Sequence, residues 1–95
     1  MPSVGVLTLE LRLDDSHSLK DKRQVVRSLK ERLRGKFNVA VSEIDSQDLW
    51  QRAILAAVTV SSAHEHAEKV LRSVEEEAAN LLGASLVSTT FEWLV

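Results

Sequence analysis

The chain has 95 residues, no cysteine and a net charge of −2, with 44% apolar and 27% charged residues. That length holds one core and hence one domain over residues 1–95, the composition excludes disorder, and the missing thiols exclude disulfides, thiolate nucleophiles and sulfur-ligated metals. No apolar run reaches the roughly 18 to 20 residues of a membrane span, and the amino terminus lacks the basic and apolar segments of a signal peptide, so a cytoplasmic protein without membrane contact is expected.

From Ser3 to Leu13, Leu7, Leu9, Leu11 and Leu13 alternate with Thr8, Glu10 and Arg12, the period of two that predicts a strand with one buried face. Asp14 to His17 break the pattern. Ser18 is placed to cap a helix beginning at about Leu19, with Asp21 in its first turn. Leu19, Val26, Leu29 and Leu33 form its apolar stripe, and Gly35 is read as a left-handed C-cap. Phe37, Val39, Val41 and Ile44 predict a second strand, with a parity slip that marks a bulge between Val41 and Ile44. The polar tetrad Asp45 to Asp48 is suited to a turn.

Ala53 to Val60 is almost continuously apolar, as expected of a central strand covered on both faces and lying beside the first. Ser62-Ala63-His64-Glu65 matches a capping box, opening a helix whose apolar face is Ala67, Val70, Leu71, Val74, Ala78, Leu81 and Leu82. Gly83 closes it. Val87, Thr89, Phe91, Trp93 and Val95 then alternate as a final strand. Two strand, helix, strand halves interleave as a ferredoxin-like βαββαβ sandwich, a four-stranded antiparallel sheet with both helices on one face and the other face open.

The charge is unevenly spread. Between Lys20 and Lys36 eight cations meet two acids, a local balance of +6, while the remainder carries four cations and twelve acids, or −8. Lys20, Arg23, Arg27, Lys30 and Arg34 step by three and four, so they share one helix stripe, and only Glu31 is available to neutralise it locally. Such a stripe is either a solvated face or a surface that contacts phosphates of structured RNA. Lys22 falls outside it, among the apolar positions, and is expected either to snorkel past the helix end or to reach Glu10 or Glu43, in preference to acting as an active-site lysine.

A second candidate is the loop region Glu43, Asp45, Asp48, Trp50 and Arg52, readable as a recognition loop for a small ligand or hard cation, or as a turn capped by acids with Trp50 plugging the sheet edge. His64 and His66 lie on nearly opposite sides of a helix and cannot chelate one ion together, though His64 and Glu68 could offer two ligands. The three glycines are too scattered to cradle phosphate, and there is no G-x-S-x-G turn. No catalytic residue, metal or cofactor is therefore assigned, and a non-enzymatic protein is expected. Stacking of bases on the two central strands is disfavoured, because the first strand has no aromatic residue and the third only Trp50 at its start; burial under a helix accounts for Phe91 and Trp93 as well as stacking does.

The segments Val4-Gly-Val-Leu-Thr-Leu-Glu-Leu, Ser18-Leu-Lys-Asp-Lys-Arg, Phe37-Asn-Val-Ala-Val-Ser-Glu and Asp48-Leu-Trp-Gln-Arg-Ala resemble the YlxP-like family of uncharacterised bacterial proteins. The resemblance spans most of the chain and implies the same ferredoxin-like fold. It implies no activity and carries over no site residues. The family is commonly encoded among genes for translation initiation and ribosome maturation, which adds ribosome-associated partners to the RNA expectation. The alternative is a homodimer formed through the open sheet face around Val4, Val6 and Thr8.

Overall fold

The computed structural model describes residues 1–95. Strand β1 (Ser3–Arg12) leads to helix α1 (Leu19–Lys36), strands β2 (Ala40–Asp45) and β3 (Arg52–Ser61), helix α2 (His64–Leu82), a single 3₁₀ turn at Gly83–Ser85, and strand β4 (Leu86–Trp93). The four strands form one antiparallel sheet in the order β2-β3-β1-β4, the ferredoxin-like arrangement expected from the element order. Pairing of β4 with β1 runs on past Trp93, since Leu94 N–H donates to Val4 O and Val95 O accepts from Val4 N–H.

The period of two in β1 puts Leu7, Leu9 and Leu11 under the helices with no exposed surface. In register opposite them stand Ala57, Leu55 and Ala53 of β3. Leu29 and Leu33 of α1 and Leu71, Val74 and Ala78 of α2 close the core from above. Each buried leucine contributes roughly 1.5–3 kcal/mol by leaving water. Gly5 lies where α2 and β4 press closest to β1: a Cβ there would stand 2.5 Å from Trp93 Cζ3 and 2.8 Å from Leu71 Cδ1. Gly5→Ala is therefore expected to cost about 1–3 kcal/mol of overpacking, read as a lowered midpoint in urea with an unchanged slope.

Several local expectations need correction. Gly35 is no left-handed cap: it lies within the last turn of α1, and the helix ends at Phe37, which is extended at φ −129° and donates to Leu33 O at 2.9 Å. The ring of Phe37 packs against the core, so the chain must turn down toward β2 there. The capping box does not form. Ala63 occupies the N-cap of α2 with no side-chain bond, and the nearby hydroxyl that accepts a backbone N–H is that of Ser61, from Ala63. Gly83 does close α2, at φ 55°. The apolar run of β3 is covered on one face only: Ile54, Ala56 and Val58 are half-buried and Val60 is 55% exposed. The parity slip in β2 is a real irregularity, between Glu43 and Asp45. A second shift, between Glu10 and Leu11, leaves Val87 out of the β1–β4 ladder and exposed.

Candidate functional site

Ser18 Oγ accepts from Asp21 N–H at 3.1 Å and starts α1, and this sets which residues turn inward. The buried positions are Lys22, Val26, Leu29 and Leu33. Leu19, assigned to that stripe from its spacing, is only half-buried. The stripe flanking this buried face carries Lys20, Arg23, Arg27 and Arg34 exposed and Lys30 half-buried, over about 21 Å of helix. Arg23, Arg27, Lys30 and Arg34 line one shallow depression between α1 and β2, together with Val26, Glu31 and Glu43.

None of these five cations has a salt-bridge partner, and Glu31 in their midst makes no salt bridge either. The contrast within the same helix is sharp. Arg32 and Lys36 both reach across to Glu77 of α2, at 2.9 and 2.8 Å. Hydrogen bonds from Lys36 and then Arg32 hold the Glu77 carboxyl below the usual carboxylate range. The acid that takes these two surface cations, Glu77, therefore serves the flank of α1 that faces α2.

Lys22 does not snorkel. It is 1% exposed, and its ammonium lies 2.8 Å from Glu43 Oε2 while donating to the carbonyls of Ser46 (2.6 Å), Gln47 (3.2 Å) and Arg52 (3.1 Å). The three carbonyls take the N–H directions, so Glu43 Oε2 is held by charge without an aligned hydrogen bond. A buried cation thus ties the first turn of α1 to the whole β2–β3 connection. The loop is fixed further by Leu49 N–H to Ser46 O, by Leu13 N–H to Gln51 O, and by Gln51 Nε2 to Ser16 O.

The remaining loop candidates do not converge. Glu43 faces the core, Asp45 accepts from Ser46 N–H, and Arg52 pairs with Glu10 on the open face of the sheet at 3.1 Å. Asp48 and Trp50 are exposed. No group of three histidine, aspartate or glutamate side chains comes together, so the small-ligand reading of this region finds no constellation of acids. Trp50 does not plug the sheet edge: it is 48% exposed. By contrast Phe91 and Trp93 pack against the core, under Arg72 and beside His64 respectively. His64 sits 3.7 Å from Glu68, and His66 is separately exposed.

On the sheet face away from the helices, Val4, Val6, Ala56, Val58 and Val60 form a mainly apolar end, edged by Glu92 beside Val6, and Glu10, Arg12 and Arg52 a charged end. No layer covers it. A groove on the helix side, between Val25, Leu29, Leu81 and Leu82, contains Glu31 and Arg32 but no cluster of reactive groups. No helix is long and apolar enough to cross a membrane.

Comparison with known proteins gives a family and a fold. The sequence profile of the family described as Protein of unknown function (DUF503) matches residues 4–91. The Uncharacterized protein YlxP of Bacillus subtilis (strain 168) is 41% identical over 71 residues, covering 75% of this chain and 77% of that one. Among solved structures, SnoaB, a cofactor-independent oxygenase from Streptomyces nogalater (mutant N63A), superposes with a TM-score of 0.50 at 10% identity, over 99% of this chain and 91% of that chain. A de novo designed protein with ferredoxin fold superposes at 0.46 and 16% identity, over 100% of this chain and 85% of that chain. At such identities the likeness to SnoaB concerns architecture only.

Proposed function

The chain belongs to the DUF503 family of proteins of unknown function, and from that premise we propose a role read from its own surface: a non-enzymatic module that grips the phosphate backbone of structured RNA through α1. One observation carries the reading. Five cations share a helix stripe without a single acidic partner, on a helix whose other two surface cations, Arg32 and Lys36, are both paired to Glu77. Unpaired cations at fixed spacing are suited to displacing condensed counterions from a polyanion. Arg23, Arg27 and Arg34 offer the forked geometry that matches phosphate, and Lys20 and Lys30 act as point charges. Backbone contacts of this kind give affinity with little sequence preference. Ribosomal RNA, alone or in a ribosome-associated complex, is the first target to test, by binding across a salt series with the stripe reversed in parallel.

A second reading concerns the open sheet face, for which a second copy of the chain is the occupant of fitting size. The face spans four strands at about 4.8 Å and about nine residues at about 3.3 Å, or roughly 500 Å². Two copies would bury about 1,000 Å², the lower limit of a specific interface. A weak homodimer is expected, with sedimentation coefficients that rise with concentration and stay monomeric in Val58→Lys. A wild-type monomer at high concentration would remove this reading and leave the RNA reading untouched.

A further inference from the structure

We infer that Trp50 is a base-stacking platform at the amino-terminal end of the basic stripe, so that the RNA taken by α1 is one with unpaired nucleotides. This rests on the phosphate-contact reading and narrows its substrate.

The chain has four aromatic residues of the Phe and Trp type, and three are engaged. Phe37, Phe91 and Trp93 pack against the core, and each also meets a cation or a second ring: Lys36 over Phe37, Arg72 over Phe91 and His64 beside Trp93. Trp50 alone has neither core packing nor such a partner, and its neighbour Leu49 is also half exposed. The half-exposed indole offers an apolar face of the kind on which a base stacks.

The loop that presents it is tied down on both sides of Trp50. Lys22 holds the carbonyls of Ser46 and Gln47 before Trp50 and that of Arg52 after it, and Gln51 is fixed by its backbone carbonyl and its side chain. A ring displayed on a fixed backbone loses little freedom when a base stacks on it. The same lysine, buried on α1, ties the loop to the helical turn that also carries Lys20 and Arg23. For this reading one strand must set its phosphates on the stripe and a base on Trp50. Bases inside a duplex are already stacked on each other and leave no face for the ring, whereas single strands and loops do.

The test measures binding of the full chain to a single-stranded uridine 12-mer and to a 12-base-pair RNA duplex, by fluorescence anisotropy over a salt series. Wild type, Trp50→Ala, Trp50→Phe and Arg27→Glu/Arg34→Glu are compared. Stacking predicts that Trp50→Ala weakens single-strand binding about 5- to 100-fold with an unchanged salt slope, that Trp50→Phe keeps most of the affinity, and that duplex binding is unaltered. Single-strand binding by Trp50→Ala equal to wild type, with loss in the stripe reversal, would overturn the platform and leave the phosphate reading standing; Trp50 would then be a protein contact. An equal loss on the duplex would also overturn it. Absence of wild-type binding to either RNA would overturn both.

Discussion

Lys22→Met is expected to destabilise the fold by about 3–5 kcal/mol, a large share of the 5–15 kcal/mol that holds a small domain together. The methionine fits the space but carries no charge. Glu43 would be left largely buried without its cation, and the carbonyls of Ser46, Gln47 and Arg52 would lose their shared donor. For a chain of this size that corresponds to a fall in Tm of more than about 12 °C. The double variant Lys22→Met/Glu43→Leu separates the two losses. Removing both charges recovers the penalty of the stranded carboxylate, so what remains measures the hook on the loop backbone. A cost below about 1 kcal/mol for the single variant would mean that the loop holds itself and that the buried pair is incidental. A consequence for Trp50 follows, because the same variant should increase hydrogen exchange across residues 46–51 before the core opens.

The second large effect is on binding. With all five stripe cations engaged, the logarithm of affinity for RNA should fall against the logarithm of salt with a slope of roughly −3.5 to −4.5. Arg27→Glu with Arg34→Glu removes two contacts and adds two repulsive charges, so the slope should flatten by about two and affinity at low salt should drop by about 100-fold or more. Stability should hardly change, since both residues are exposed and neither has an ion-pair partner in the folded protein. Reversal of Arg32 is the matched control: it carries the same charge on the same helix but already serves Glu77. Binding unchanged by the double reversal would reduce the stripe to a solvated face.

The segments that could be read along the chain are those whose periodicity reports burial. The alternating leucines of β1, the Ser18 cap, the stripe at Val26, Leu29 and Leu33, and the face of α2 at Ala67, Leu71, Val74 and Ala78 are local patterns, and each lies where its spacing places it, whereas Val70 and Leu82, expected on the α2 face, are only half-buried and Leu81 is exposed. The five cations of the stripe were legible for the same reason: a helix turns 3.6 residues at a time whatever it packs against. The misreadings are places where a local preference met a tertiary demand. Gly35 could have ended α1, but the core position of Phe37 decided the end. Ser62 and Glu65 could have formed a capping box, but the path from β3 put Ala63 at the cap.

Element order, fold class and the segregation of charge onto α1 all depend on spacing along the chain, and so could be read there. Which charges are free and which are taken depends instead on the folded arrangement. Glu77 stands far from Arg32 and Lys36 in sequence, as Glu43 does from Lys22 and Glu10 from Arg52. An ion pair depends on distance in space, and in an antiparallel sheet covered by two helices that distance is fixed by register and helix packing rather than by position in the chain.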